Sequence, residues 1–372
     1  MANTVRNKIL ILYAPCGAGH QKAAQALSDY FKSQTEDDVE LKDILEFAPS
    51  WYRKIYRDGY YFLIRKLPKL WAYLYHSTDL IPPESSLTRF WRQLEHKWFA
   101  SFHRYLDQSH PTTIVTTHFL PISLLKDRKK NNYQLTVVVT DYCAHNAWVS
   151  VFVDHYFVAA EEVKKILVQK GIIPERITVT GIPFKPMTAS RESRADRKVE
   201  LGLNRELFTV LVLSGAGGTG DISALIKKME PYAYTLQLMV GVGLNKVMEK
   251  KLRKDFAGTP LILKIFGFTD KIYDYYQVTD LVITKPGGLT VTECLAFGLP
   301  MIMVNAIPGQ EEENAKFVEK NEAGKLVKDQ DDVPATVVAL IQDREKLKAL
   351  KDNASRIAPQ DPCKKIFKEI SE

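Results

Sequence analysis

The chain opens twice in the same way, and this duplication limits its fold more than any other feature. Residues 9–14 form a short apolar run. The glycine-bearing turn Pro15-Cys16-Gly17-Ala18-Gly19-His20 and a helix-like stretch follow it. Residues 207–213 repeat the pattern, with Ser214-Gly215-Ala216-Gly217-Gly218-Thr219-Gly220 as the turn. Further apolar runs alternate with helical stretches, at 39–44, 113–116, 135–140, 156–159 and 177–180 in the first half. The second half continues with runs at 236–240, 262–266, 281–284 and 300–304. Strands with no polar face, separated by helices, belong to parallel sheets covered on both sides. The pattern predicts an α/β protein of two Rossmann-like domains, and 372 residues suit two domains better than one.

The segment 184–203 interrupts the alternation with Pro186 and a charge cluster from Arg191 to Glu200, which reads as a hinge. The expected division is a first domain at 1–185, a linker at 186–204, a second domain at 205–355 and a terminal helix at 356–372. Hydrophobic residues at 45% and charged residues at 26% are a globular balance. No apolar run approaches the roughly 18 residues that span a bilayer. The opening run is too short for a signal peptide. Cys16, Cys143, Cys294 and Cys363 lie far apart without metal spacing, which points to a reducing, cytoplasmic setting. The net charge of +7 suits nucleic acid, anionic lipid or an anionic substrate, so charge distribution has to decide.

A glycine-rich turn between strand and helix lets backbone approach a phosphate, and the helix N-terminus adds free N–H groups. Gly217 and Gly218 fit that use, although a βα turn without ligand fits too. The loop has neither the full dinucleotide fingerprint nor a Gly-Lys-Ser/Thr ending, which disfavours hydride transfer and NTP hydrolysis. His20 closes the first loop where substrates of doubly wound folds bind, either as a helix cap or as a general base.

The most specific stretch is Thr284-Lys285-Pro286-Gly287-Gly288-Leu289-Thr290-Val291-Thr292-Glu293. Gly287 and Gly288 open a helix, Thr290 stands in its first turn, and Glu293 follows. One arrangement explains them: amides facing a diphosphate, and a carboxylate accepting from two vicinal ribose hydroxyls. Acidic residues are also favoured at any helix start. In Pro308-Gly309-Gln310-Glu311, Gln310 and Glu311 suit sugar hydroxyls or an ordinary exposed first turn. Asp329-Gln330-Asp331 reads better as a helix-start loop than as a metal site, because a catalytic metal needs convergent ligands.

Together, K-P-G-G-L-T-V-T-E, G-L-P and P-G-Q-E-x-x-N-A resemble the donor domain of the GT-B glycosyltransferases that make glycoglycerolipids. These are the monogalactosyldiacylglycerol synthase and processive diacylglycerol glucosyltransferase family. In the first half, G-A-G-H at 17–20, T-D-x-x-x-H-x-x-W at 140–148 and G-I-P at 181–183 resemble the family's motifs in the same order. Cys16, Ala18 and the A-G-G-T-G of the second loop depart from the usual pattern.

The resemblance implies two sheets facing a central cleft, and inverting transfer of glucose or galactose from a UDP-sugar to diacylglycerol. It implies His20, Asp141 and His145 on the catalytic, acceptor side. It implies Gly217, Gly218, Gly287, Gly288 and Thr290 near the diphosphate, Phe268 and Thr269 at the uracil, Glu293 on ribose, and Gln310 and Glu311 on the sugar. No metal or cofactor is called for. The UDP-sugar is the donor substrate.

Residues 51–75 interleave Trp51, Tyr52, Tyr56, Tyr60, Tyr61, Phe62, Trp71, Tyr73 and Tyr75 with Arg53, Lys54, Arg57, Arg65, Lys66 and Lys69 against one acid, Asp58. That mixture suits a lipid headgroup region with anionic lipid, though core packing or single-stranded nucleic acid uses the same residues. With the donor motifs present, the expectation is peripheral docking on the inner face of a membrane, and no nucleic-acid partner. The alternatives are a lipid-linked peptidoglycan-precursor N-acetylglucosaminyltransferase, a UDP-sugar epimerase, and a non-catalytic UDP-sugar-sensing regulator.

Overall fold

The computed structural model describes residues 7–81, 85–126, 133–185, 192–214 and 221–372. They form two compact units, each built on a six-stranded parallel sheet. The first unit comprises 1–186, 307–310 and 359–372, and the second 187–306 and 311–358.

In the first unit the strands are β1 (Lys8–Tyr13), β2 (Asp38–Asp43), β3 (Thr113–Thr116), β4 (Gln134–Val138), β5 (His155–Val158) and β6 (Ile177–Val179). Their order is β2-β1-β3-β4-β5-β6, every pair parallel. The order reverses between β1 and β3, so a crevice opens there at the carboxyl ends. Helix α1 (Ala18–Gln34) follows β1, and the layered core has Leu10, Leu12, Ile114, Val137 and Tyr156 on one face and Ile9, Ile11, Val115 and Phe157 on the other.

Among the described residues, four α-helices lie in the insert between β2 and β3: α2 (Ser50–Lys66), α3 (Pro68–Asp79), α4 (Ser86–Trp98) and α5 (Ala100–Ser109). Helices α6 (Leu120–Leu125) and α7 (Glu161–Gln169) complete the series within the sheet. The aromatics of the insert divide in two. Tyr52 and Tyr56 pack against the core, whereas Trp51, Ile55, Phe62 and Tyr73 are exposed. The core reading and the surface reading of this segment both apply, to different residues.

The second unit runs from α8 (Arg194–Glu200) through β7 (Phe208–Leu213), α9 (Ile222–Met229), β8 (Leu236–Gly241), α10 (Lys246–Asp255), β9 (Leu263–Phe266) and α11 (Ile272–Val278). It continues with β10 (Leu281–Thr284), α12 (Gly288–Ala296), β11 (Met301–Met303), α13 (Gln310–Lys320), β12 (Gly324–Leu326), α14 (Val333–Gln342) and α15 (Arg344–Arg356). The order β12-β11-β10-β7-β8-β9 reverses between β7 and β10. Strand β12 was not among the sequence expectations, because three residues containing Gly324 and Lys325 carry no apolar run.

The terminal helix α16 (Pro362–Ser371) lies in the first unit. Phe367 meets Phe31 of α1 edge to face at 5.0 Å, and Ile366 and Cys363 join the core beneath. Gly181, with φ +89°, has no room for a Cβ, which would stand 2.3 Å from Pro359. Two architectures read from the sequence as parallel α/β sheets are therefore both present.

Candidate active site

In the first unit the switch point between β1 and β3 is where His20 sits. Gly17 opens α1 at φ +88°, a conformation that glycine adopts without steric cost, and no side chain caps the helix. His20 is the third residue of α1 and half-buried. Its Nδ1 lies 2.7 Å from the Thr117 carbonyl and 2.7 Å from Thr140 Oγ1. A carbonyl only accepts, so Nδ1 carries the proton and Nε2 keeps the lone pair of the neutral ring. Nε2 makes no hydrogen bond among the described residues. Thr117 Oγ1 donates back to the His20 carbonyl at 2.9 Å, which clamps the turn.

Burial pushes the His20 pKa down to about 4, with the Thr117 hydrogen bond opposing it. The ring therefore stays neutral at physiological pH. Beside it, His118 meets His20 edge to face at 4.7 Å, and Trp148 stands 6.3 Å away. His118 Nδ1 accepts from the Leu120 amide at 3.1 Å, and burial, then the charge of His20, holds its pKa well below the usual value. Two neutral rings share this corner.

Asp141 follows β4 at a half-buried bend. The Tyr75 phenol is pushed above its usual range by burial, then by Cys143 and Asp141. His145 caps the short turn Asn146–Trp148: Nδ1 accepts from the Ala147 amide at 3.0 Å, and Nε2 donates to the Tyr75 carbonyl at 3.0 Å. Its one lone pair is thus engaged inside the loop. Asp79 at the end of α3 accepts from the Asn146 amide at 2.6 Å and from Lys170 at 2.7 Å. The loop after β4 is thereby fastened to the insert.

In the second unit, Gly287 precedes α12 with no side-chain cap, and its first turn holds no acidic residue. The amides of Gly288, Leu289 and Thr290 have no intrahelical acceptor in a helix of nine residues. Gly288 is buried and Thr290 half-buried. A Cβ on Gly287 would lie 3.9 Å from Glu311 Oε1, so that carboxylate stands beside the helix tip. Asn314 Nδ2 donates to the Pro286 carbonyl at 3.0 Å, fastening α13 to the same turn.

Glu293 is buried, with Oε1 accepting from Tyr273 and Oε2 from Tyr276, both at 3.2 Å. A carboxylate oxygen can accept more than one hydrogen bond. Phe268 is exposed, and Thr269 Oγ1 accepts from the Lys271 amide at 3.0 Å at the start of α11, the helix that carries both tyrosines. Gln310 belongs to the first unit, apart from Glu311. Gly217 and Gly218 lie outside the described residues. A crevice opens at the carboxyl ends of β7, β10 and β11, lined by Ser214, Asp221, Lys228, Lys285, Asn305 and Asp331. Asp329 caps a helical turn, and Asp331 pairs with Lys228 at 2.6 Å, so the D-x-D pair serves a helix start.

Sequence reading missed Thr117 and His118. The signal was present: Thr116-Thr117-His118 puts three polar residues directly at the carboxyl end of an apolar strand. It also missed Tyr273 and Tyr276, which only tertiary packing brings to Glu293.

Two parallel sheets, each with an uncapped helix start at its switch point, make up the GT-B arrangement of two Rossmann-like domains. Residues 20–184 match the family model of monogalactosyldiacylglycerol (MGDG) synthase, and 209–370 match the glycosyltransferase family 28 C-terminal domain. The processive diacylglycerol beta-glucosyltransferase of Bacillus thuringiensis (strain Al Hakam) is 30% identical over 385 residues, covering 98% of this chain and 93% of that protein. Among solved structures, Acinetobacter baumannii MurG aligns with a TM-score of 0.63 at 16% identity, over 98% of this chain and 99% of that one. Staphylococcus aureus MnaA with UDP gives 0.66 at 11%, over 98% and 96%. At such identities these two speak for the fold alone. The chain belongs to the monogalactosyldiacylglycerol synthase and processive diacylglycerol glucosyltransferase family, and it is a UDP-sugar-dependent glycosyltransferase. The non-catalytic alternative is set aside by that membership.

Proposed function

We propose that this glycosyltransferase, which acts on a lipid acceptor, moves glucose from UDP-glucose to the 3-hydroxyl of diacylglycerol with inversion at C1. The acceptor oxygen bonds to C1 as the bond from C1 to the diphosphate oxygen breaks. The electron pair leaves with UDP, and the hydroxyl proton passes to His20 Nε2. The observation that carries this reading is the fixed tautomer: Nδ1–H held by the Thr117 carbonyl leaves Nε2 as a lone pair free of any partner among the described residues.

On the donor side, the amides at the α12 tip favour the departing diphosphate, Glu293 receives the ribose hydroxyls, and Gln310 and Glu311 meet the hexose. Glucose is favoured over galactose because the whole-chain relative is named a glucosyltransferase, while the galactolipid model covers the first half only. Diacylglycerol has to be reached at a bilayer. Among the described residues no helix is long and apolar enough to cross a membrane. Exposed Trp51, Ile55, Phe62 and Tyr73, with Arg65 and Lys66 in the last turn of α2, support peripheral docking on an anionic cytoplasmic face.

A donor and acceptor screen tests the reading. Protein is mixed with UDP-glucose or UDP-galactose and vesicles containing diacylglycerol, with or without anionic lipid, and the product is identified by mass. Monoglucosyldiacylglycerol is the expected product, formed faster on anionic vesicles. Product from a lipid-linked muramyl acceptor and none from diacylglycerol would replace this reading with the peptidoglycan one.

A further inference from the structure

The turn Ile307–Gln310 lies in the first unit, against the helix pair α2–α3, and three contacts of different kinds hold it. The Trp71 indole N–H donates to the Pro308 carbonyl at 3.1 Å. Gly309 has φ +92°, and a Cβ there would come within 2.6–2.8 Å of the Tyr75 ring. Ring face therefore meets bare backbone, and no other residue type fits. Gln310 Nε2 donates to the Tyr60 hydroxyl at 3.4 Å, while Gln310 Oε1 is buried and has no hydrogen-bond partner among the described residues. Buried amide oxygens are nearly always satisfied, so an orphan of this kind calls for an explanation.

The three rings form a row. Tyr60 meets Trp71 edge to face at 5.3 Å, and Trp71 lies 6.2 Å from Tyr75. Aromatic side chains with two torsions each make a stiff support. We propose that Tyr60, Trp71 and Tyr75 are positioning residues for the donor sugar, fixing the turn so that Gln310 Oε1 stands ready to accept from a sugar hydroxyl. This rests on the reading above that Gln310 meets the hexose. A corollary separates it from a merely structural role. The row affects binding of the sugar and leaves binding of UDP alone untouched.

The test is calorimetric titration without lipid, using UDP and whichever of UDP-glucose and UDP-galactose binds the wild-type protein more tightly. Trp71→Phe keeps an aromatic ring, smaller than the indole, and removes the donor. It should weaken the UDP-sugar about five- to tenfold and UDP less than about twofold. Tyr75→Phe should behave as wild type, since among the described residues its hydroxyl reaches Cys143 Sγ alone, at 3.7 Å. Tyr75→Ala should follow Trp71→Phe. The double variant Trp71→Phe/Gln310→Ala should bind no more weakly than Gln310→Ala, because both act through one contact. Equal weakening of UDP and UDP-sugar, additive losses, or no effect of Gln310→Ala would each overturn the proposal. Failure of the wild-type protein to make glycolipid would sink the lipid reading instead, since no lipid enters this measurement.

Discussion

Helix α1 of the first unit and helix α12 of the second both start at the carboxyl end of a strand, at the point where their sheet changes direction. Both are preceded by glycine, both lack a side-chain cap, and neither has an acidic residue in its first turn. They differ at the third helical position, which is His20 in one and Thr290 in the other. The first tip is closed by an imidazole locked to Thr117 and flanked by His118 and Trp148. The second has uncapped amides with the half-buried Glu311 carboxylate beside the tip, and buried Glu293 stands one turn further along the helix. On the function proposed above, one backbone device takes a proton and the other holds an anion and its hydroxyls. If that proposal holds, a Rossmann-like helix tip sets where chemistry occurs and the side chain at its third position sets which chemistry.

The largest expected effect tests the first tip. His20→Ala should lower kcat by about 10²–10⁴-fold while leaving UDP-sugar affinity unchanged, measured by initial rates and titration of the donor. A kcat near wild type would break the comparison. The pH dependence sharpens it. With a folded pKa of about 4, the acid limb of kcat/KM belongs near pH 4, well below the value of about 6.5 for an unperturbed histidine. The sign for stability follows. Between those two values the unfolded chain binds a proton that the folded chain does not, so this residue lowers stability as pH falls through that window and contributes no slope above it. Denaturant unfolding at pH 7 and pH 5 should therefore show a smaller loss for His20→Gln than for wild type.

The second tip predicts a different signature. Glu293→Gln keeps the shape and removes the charge, so it should raise KM for the UDP-sugar about tenfold with a smaller change in kcat. A fall in kcat at unchanged KM would assign Glu293 to the transition state and blur the contrast with His20.

Much of this was legible in the sequence, for stated reasons. The period of apolar runs gave parallel sheets, because strands buried on both faces have no polar side. The first glycine loop marked its helix tip, because only glycine reaches φ values such as +88° at Gly17 without strain, whereas Gly287 before α12 is extended at φ −67°. Thr117 stands 97 residues from His20 and Tyr273 stands 20 from Glu293. No local pattern links such pairs, since sheet order brings the first together and helix packing the second. Nor did the sequence tell which aromatics of the insert face outward: Tyr52 and Tyr56 pack on the core one helical turn apart, and Trp51 beside them does not.

The smallest expected effect concerns His145, a histidine within the same unit as His20 and unlike it in its bonding. Its Nδ1 accepts from Ala147 and its Nε2 donates to Tyr75, so a neutral ring has no lone pair left to receive a proton from a substrate. Burial also lowers its pKa, which keeps the ring in that neutral, doubly bonded state at physiological pH. We therefore expect it to hold the loop after β4 on α3. His145→Ala should cost about 1–2 kcal/mol of stability through loss of the cap, read by denaturant unfolding. It should lower kcat less than about tenfold, far short of His20→Ala. His145→Asn retains a capping acceptor for the Ala147 amide and should recover most of that stability. A kcat loss as deep as that of His20→Ala, at wild-type stability and without recovery in the Asn variant, would mean that proton transfer in this unit runs through two imidazoles. The first helix tip would then no longer be a one-residue device.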